Sequence, residues 1–283
     1  MSISASQVKE LREMTGVGMM ECKKALVETD GDLEKALDLL RSNSALKAEK
    51  KASRVAADGM LVIHQDQGSV LAVEINTETD FAAKDEKFQV FCNDIKDHLA
   101  KNAINSVEEL NEVFASEREA LVQAIGENIQ IRRMVKISDG DSIGTYLHTD
   151  GKLAAIVSID SNDDELAKDL AMHVAASNPN CVTADQVDQE LIARERAIFE
   201  AQAAESGKDP SIMEKMIEGK LKRFLSEITL VSQPFVKNPD QTIQALLSEK
   251  SAKVLSMSRI KVGEGIEVDK KDFAAEVAEQ LQS

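Results

Sequence analysis

A turn that carries one aromatic ring among charges is the segment of this chain with the clearest potential for recognition chemistry. The apolar run Val70–Val73 predicts a buried strand, which the polar residues after it end. Phe81 then stands directly behind the Asp80 carboxylate, whereas most large apolar side chains lie inside a core. A rigid ring beside a charge can serve as an anchor in a partner's pocket. The alternative is that Phe81 folds back and holds the next helix on the sheet.

Residues that could make or break bonds are dispersed along the chain. They are His64, His98, His148, His173, Cys22, Cys92 and Cys181. Their spacing suggests no zinc site, and the chain contains neither a nucleophile-elbow sequence nor a Gly-x-x-x-x-Gly-Lys-Ser/Thr phosphate loop. We therefore expect no cofactor, no metal and no enzymatic activity. A thiol enzyme using Cys22 or Cys92 is a rival hypothesis without a clustered base, and we interpret Cys22 as a buried structural thiol.

The composition limits the partners and the compartment. The chain has 283 residues, with 34 basic and 50 acidic side chains and a formal net charge of −16. Nucleic-acid affinity comes largely from Lys and Arg, so this charge opposes a nucleic-acid partner. An odd number of cysteines without a Cys-x-x-Cys pair indicates a reducing compartment. Because no targeting pattern and no long apolar stretch is present, we expect a cytoplasmic, soluble protein without a membrane partner.

Residues 1–45 predict a module of three short helices. Ser4 and Gln7 form a capping-box pair at its start, and two glycine-containing turns separate the helices. Residues 46–58 carry lysines among alanines and serines without a large apolar stripe. This pattern indicates a solvated linker that could be helical.

The middle of the chain contains a faint duplication of a β-β-α unit. A hairpin with its turn at Gln67-Gly68 precedes one helix, and a hairpin with its turn at Asp150-Gly151 precedes another, capped by Asp163 or Asp164. The elements expected between the two units are one helix over 107–125 and a strand over 129–137. The duplication predicts an α+β fold in which each subdomain is a small antiparallel sheet backed by helices. The two core subdomains would be residues 59–140 and 141–263.

Residues 185–228 break this plan and predict a helical hairpin inserted in the second subdomain. Its apolar stripes are Val187, Leu191, Ile198 and Ala201 on the first helix, and Met213, Ile217, Leu221, Phe224 and Ile228 on the second. Asp209 and Pro210 fit the N-cap and first position of the second helix. Narrow stripes with charged flanks predict a projecting coiled coil that meets a partner or a second copy. The alternative is a helix pair packed on the protein's own core.

The remaining residues return to the core. Ile228–Val231 predict a strand, Asp240 is the expected cap of a helix, and residues 254–262 predict the last strand. A C-terminal module over 264–283 contains an amphipathic pattern from about Asp269 to Leu281, which predicts a terminal helix.

Two long motifs resemble the two signatures of the elongation factor Ts family. They are Leu11–Leu26 and Glu74–Lys84, and shorter likenesses continue along the chain at Ile125–Ile129, Ala171–Ser177, Gln233–Val236 and Val262–Ile266. Three residues depart from the family pattern. Glu21 stands where Asp is usual, and Thr77 where Cys, Ser or Val is more frequent. Ala82 replaces a Val, which would remove apolar surface next to Phe81.

The resemblance implies a ubiquitin-associated-like three-helix module, a bilobed core, and binding to elongation factor Tu in its GDP-bound and nucleotide-free forms. It also implies acceleration of GDP release during translation elongation. The residues that it places at the interface with elongation factor Tu are Thr79, Asp80, Phe81, Ala82, Met19, Met20, Lys23, Ile125, Gly126 and His148. Asp80 and Phe81 would disturb the partner's magnesium site, while His148 and the hairpin would hold a different lobe. A ubiquitin-like adaptor is a further rival, but it explains nothing after residue 58.

Overall fold

The computed structural model of the chain describes residues 3–66, 68–205 and 209–267. Helices and small sheets alternate along these residues, which confirms the predicted α+β fold. Two compact units can be distinguished. Among the described residues, one contains residues 3–62, 73–134 and 261–267, and the other lies within residues 63–72 and 135–260. The domain boundaries expected from the sequence stay a prediction.

The chain begins with three helices around a small core. They are α1 (Ala5–Thr15), α2 (Met19–Glu28) and α3 (Leu33–Lys51). The capping box at Ser4 is confirmed, because Gln7 N donates to Ser4 Oγ at 3.3 Å and Ser4 N donates to Gln7 Oε1 at 3.0 Å. Cys22 is fully buried in this core, as expected of a structural thiol. Helix α3 runs on to Lys51 and buries Ala48, so much of the expected linker is helical.

Two three-stranded sheets repeat one plan. The first contains β1 (Asp58–Asp66), β2 (Ser69–Thr77) and β3 (Ile129–Ile137), and the second contains β4 (Ser142–Leu147), β5 (Leu153–Ile159) and β8 (Val254–Lys261). In each sheet the second hairpin strand is central and pairs with a strand from later in the chain. Strands β4 and β5 pair antiparallel from Ser142↔Ile159 to Leu147↔Ala154. Gln67 of the first expected turn lies outside the described residues.

Helices follow both hairpins, as the duplication predicts. They are α4 (Asp80–Ala83) and α5 (Glu86–Lys101) after the first, and α8 (Asp164–Ser177) after the second. Asp163 is the N-cap of α8, since its Oδ1 accepts the Leu166 N–H at 3.0 Å. The single helix expected over 107–125 is wrong, because α6 (Val107–Val113) and α7 (Ala115–Ile125) are separate. Phe114 stands between them with its ring in the core, edge-on to Phe91 at 5.8 Å between centroids.

The expected helical hairpin is present as α9 (Gln189–Ala204) and α10 (Pro210–Ile228), which pack on each other. The α10 stripe is only half-buried along its length, as a narrow stripe predicts. The predicted α9 stripe is partly wrong, because Val187 lies before the start of α9, and Ile198 and Ala201 are exposed. Phe199 and Ala203 are turned inward instead, and Lys220 Nζ lies 5.7 Å from the centre of the Phe199 ring. The inward-facing positions of α9 thus lie one or two residues beyond the predicted ones, because few large apolar side chains mark its buried face in the sequence.

Two expectations for the region after the hairpin are wrong. Ile228–Val231 are not a strand, because α10 continues to Ile228 and a 3-10 turn follows at Leu230–Ser232. Leu230 is the fully buried apolar residue there, beside the fully buried Thr229, so the segment supplies one apolar core side chain rather than a strand face. The cap of α11 (Ile243–Glu249) is Thr242 rather than Asp240, since Thr242 Oγ1 accepts the Ala245 N–H at 3.2 Å.

Asp240 lies instead in β7 (Asn238–Thr242), which pairs with β6 (Pro234–Phe235). The last strand ends at Lys261, close to the expected boundary. The terminal helix expected from about Asp269 lies outside the described residues.

One fully buried carboxylate joins distant parts of the first unit. Glu74 accepts hydrogen bonds from Arg132 Nη1 at 3.0 Å, Asn76 Nδ2 at 3.0 Å, the Gly263 N–H at 2.8 Å and the Arg133 guanidinium. Burial alone would raise the pKa of this carboxyl. The Gly263 N–H, the Asn76 amide and the two guanidinium groups outweigh it and hold the pKa of Glu74 below its usual value.

Glu74→Gln is expected to lower the free energy of unfolding by about 2 kcal/mol at pH 7, because two guanidinium groups lose their counter-charge. The pKa of Glu74 is lower in the folded protein than in the unfolded chain, so its ionised form stabilises the fold at pH values above the unfolded-state pKa. This contribution is lost as the pH falls through the folded-state pKa. The difference from wild type should therefore shrink on acidification, as urea unfolding at several pH values can measure. Glu112→Gln, at an exposed site on α6, is the matched control. Equal stability of both variants at pH 7 would contradict this role.

Candidate functional site

The Phe81 ring is held away from the core on a very short helix. Thr79 is the N-cap of α4, with its Oγ1 accepting the Ala82 N–H at 3.2 Å, and Lys84 Nζ lies 2.7 Å from Asp80 Oδ2. Ala82 and Ala83 are buried, whereas 80% of the Phe81 surface is exposed. The alternative in which Phe81 folds back to hold the next helix is therefore wrong. The neighbouring alanines fix the turn, and the ring faces solvent.

A carboxylate from another part of the chain fixes the start of this helix. Glu127 accepts the Thr79 N–H at 2.9 Å through Oε2 and the Thr79 hydroxyl at 2.7 Å through Oε1. Hydrogen bonds to an ionised group are roughly twice as strong as neutral ones. Next to this pair, Glu78 Oε1 accepts the Asn128 N–H at 2.6 Å. Three hydrogen bonds thus join residues 78–79 to residues 127–128.

The turn that presents Glu127 depends on a glycine. Gly126 ends α7 with a φ of 90°, a left-handed conformation that favours glycine, and its N–H bonds back to Val122 O at 2.9 Å. Lys51 Nζ donates to the Gly126 carbonyl from the end of α3. Ile125 is half-buried beside it. The predicted contact residues Ile125 and Gly126 therefore position Glu127. Its two hydrogen bonds to Thr79 are here called the clamp.

The start of α2 presents a second exposed surface in the same unit. Met19 and Met20 are 53% and 76% exposed, and Lys23 is also exposed. The loop before them is tied to the first turn of α5, because Lys87 Nζ donates to Gly16 O at 2.9 Å. This hydrogen bond joins the first sequence motif to α5, the helix that follows the second motif.

His148 belongs to the other compact unit. It follows β4 at the hairpin turn, where its Nδ1 lies 3.0 Å from Asp150 Oδ1 and its ring is about half exposed. The Lys152 N–H, and then His148 itself, hold the pKa of Asp150 below its usual value. The described residues thus bring nine of the ten predicted site residues into one unit and His148 into the other.

The three departures from the family pattern have defined places. Ala82 is buried, so the smaller side chain changes interior packing rather than the surface next to Phe81, and the expectation on this point is wrong. Thr77 is fully buried and donates through Oγ1 to Thr79 O at 2.9 Å. Glu21 pairs with Lys47 and accepts from Gln123 Nε2 at 2.7 Å. These two hydrogen bonds lower the pKa of Glu21.

Sequence reasoning missed the residues that position the site. Three side chains hydrogen-bond to backbone or cap groups that are distant in sequence, namely Glu127, Lys51 and Lys87. No local sequence pattern predicts such a contact. Glu127 does lie inside the motif Ile125–Ile129, and this position is the sequence signal that could have indicated its role.

Within ranges 3–66, 68–205 and 209–267, no group of three or more His, Cys, Asp and Glu side chains could hold a metal ion. Burial raises the pKa of the Cys92 thiol to about 12, and Cys22 is fully buried, which opposes the thiol-enzyme hypothesis. No helix in the described part of the chain is long and apolar enough to cross a membrane.

An exposed aromatic ring on a turn fixed by hydrogen bonds is a feature that can anchor one protein in a pocket of another. Comparison with known proteins identifies the family. The sequence pattern of the family described as Elongation factor TS matches residues 78–264. The chain is 49% identical to elongation factor Ts of Hahella chejuensis over 99% of both chains, and 49% identical to that of Thioalkalivibrio sulfidiphilus over 100% of this chain and 99% of the other. This chain belongs to the elongation factor Ts family.

Glu127→Gln is expected to loosen the start of α4, because a neutral amide cannot accept both hydrogen bonds from Thr79. The local free energy of opening at residues 79–84 should fall by about 1.5 kcal/mol. Amide hydrogen exchange followed by mass spectrometry measures this directly. Glu112→Gln is again the matched control and should leave the exchange of residues 79–84 unchanged. Unaltered protection in Glu127→Gln would show that the clamp does not order the turn.

Proposed function

We propose that this protein is a guanine-nucleotide exchange factor that binds elongation factor Tu and accelerates GDP release, in support of translation elongation. The exchange involves no bond chemistry. The observation that carries the proposal is the 80% exposure of Phe81 on a turn pinned by Glu127. An exposed aromatic ring lowers the solubility of a protein. A ring whose backbone is already fixed loses little conformational entropy on binding, so this geometry favours use of Phe81 as an anchor.

The partner's own chemistry explains why an anchor suffices. A GTPase holds its diphosphate with backbone amides and a magnesium ion. Magnesium requires nearly octahedral geometry at short distances, so a small displacement of its surroundings weakens binding. We propose that Phe81 inserts beside this magnesium and phosphate site. Asp80, held by Lys84 at 2.7 Å, would keep the turn in register while Thr79 and Ala82 fix its backbone.

Other surfaces would set the approach to the partner. Met19, Met20 and Lys23 would contact it from the start of α2, while Ile125 and Gly126 support the clamp. We propose that His148 and the hairpin α9–α10 hold a different lobe of elongation factor Tu. The hairpin has no fully buried side chain on α10, which favours a role in contact with a partner or with a second copy. Its coiled-coil character and the cytoplasmic location belong to the same proposal.

Thermodynamic linkage makes the mechanism reciprocal. If this protein weakens GDP binding by some factor, GDP must weaken the binding of this protein to elongation factor Tu by the same factor. The protein would therefore bind GDP-bound and nucleotide-free elongation factor Tu with different affinities, the empty form more tightly. No covalent step is required.

Phe81→Ala is expected to slow stimulated GDP release about 30-fold, which corresponds to the roughly 2 kcal/mol lost with an anchor residue. Release of a fluorescent GDP from elongation factor Tu, measured by stopped flow, gives this rate. Val113→Ala removes another exposed apolar side chain, 44% exposed on α6, and should behave as wild type. Circular dichroism should show unchanged helix content in both variants. Wild-type release rates with Phe81→Ala would remove this ring from the mechanism.

Shortening the hairpin between residues 187 and 226 should weaken association but leave the core folded. Residues 200–219 would be replaced by a short Gly-Ser linker that joins the helices near the contact between Phe199 and Lys220. We expect at least a tenfold rise in the dissociation constant for elongation factor Tu, which corresponds to about 1.4 kcal/mol. A loss of helix content beyond the deleted residues would instead favour a hairpin that is part of the core.

A further inference from the structure

The exposed methionines of the described chain are confined to one short segment. Met14, Met19 and Met20, here called the methionine cluster, are 58%, 53% and 76% exposed. The other described methionines are only partly exposed, namely Met60, Met134, Met172, Met213, Met216 and Met257. We propose that the methionine cluster is a modification site, at which oxidation to methionine sulfoxide weakens binding to elongation factor Tu. This inference rests on the proposed function.

The backbone that presents the methionine cluster is well fixed. The loop between α1 and α2 is held by Thr15 Oγ1, which donates to Leu11 O at 2.7 Å, and by the Gly16 N–H, which donates to Arg12 O at 2.8 Å. Val17 is only 2% exposed and fills the core of the three helices. The cluster side chains are not members of that core. Their oxidation therefore changes the surface and leaves the packing of the module intact.

The chemistry at each thioether is a two-electron oxidation by hydrogen peroxide. A sulfur lone pair attacks one peroxide oxygen, the O–O bond breaks, an S=O bond forms, and the second oxygen leaves as water. The product is a polar, chiral side chain in place of a flexible apolar one. Methionine sulfoxide reductases, one for each epimer, reverse the change.

Burial and raised pKa values disfavour reaction of the thiols with this oxidant. Cys22 is fully buried, and Cys92 is buried with a pKa raised to about 12. Burial and the neighbouring Asp185 raise the pKa of the Cys181 thiol as well. The thiolate is the reactive form, so the raised pKa values slow oxidation of Cys92 and Cys181, while burial shields Cys22. Among the methionines and cysteines of the described chain, those of the methionine cluster are the most exposed.

The consequence for binding follows from desolvation. Methionine suits adaptable apolar contacts, whereas a sulfoxide buried in the same contact without a hydrogen-bond partner is unfavourable. We expect oxidation of the cluster to raise the dissociation constant for elongation factor Tu at least tenfold.

The test oxidises this protein alone. Purified protein is treated with hydrogen peroxide, the excess is removed with catalase, and sulfoxide at each methionine is measured by peptide mass spectrometry. Met14, Met19 and Met20 should oxidise first. Binding to elongation factor Tu is then measured by calorimetry, before and after treatment and after repair by the two reductases. Repair should restore the affinity, and circular dichroism should not change on treatment.

Two variants separate the cluster from general oxidative damage. In Met14→Leu/Met19→Leu/Met20→Leu, the affinity after peroxide should equal that variant's own affinity before peroxide. In Met60→Leu, treatment should weaken binding as much as in wild type. Cluster oxidation without a loss of affinity, or a loss that persists in the triple variant, overturns the proposal. A protein that binds but does not accelerate GDP release would contradict the proposed function alone, since the effect of oxidation on affinity is measured independently.

Discussion

The carboxylate of Glu127 is the constraint on which the candidate site depends. A helix of four residues cannot hold itself together, because almost none of its backbone groups find partners inside it. Two charge-assisted hydrogen bonds to Thr79 supply the missing order from outside. The buried alanines then leave the Phe81 ring no place in the core. An apolar side chain stays exposed because polar contacts behind it hold its backbone.

The duplicated plan shows what is special about this turn. In the second unit β5 leads into α8, which continues unbroken from its cap at Asp163 to Ser177. In the first unit the corresponding helix stops after Ala83, and Asp85 starts α5 by accepting the Lys87 N–H at 2.8 Å. Such local caps compete with helix continuation. The break between α4 and α5 creates the exposed turn, while the hairpin followed by a helix is common to both units.

Local patterns predicted most of the elements, because strand alternation, helix periodicity and caps are local in sequence. Ser4, Asp163 and Asp209 cap helices where their types suggested. The failures have non-local causes. Phe114 divides a predicted helix because its ring packs on Phe91, a contact that no local pattern contains. Glu127 was missed for the same reason, since its partner Thr79 lies 48 residues earlier.

The buried Glu74 has a consequence for the order in which the molecule can be made. The Gly263 N–H that bonds to it lies 189 residues later in the chain, and is translated long after the carboxylate. On the ribosome, the first unit therefore carries a charge whose hydrogen-bond partners are incomplete until Gly263 has emerged. A nascent chain stalled before Gly263 would lack this hydrogen bond to Glu74, and the final closing step of the unit would have to await the emergence of Gly263.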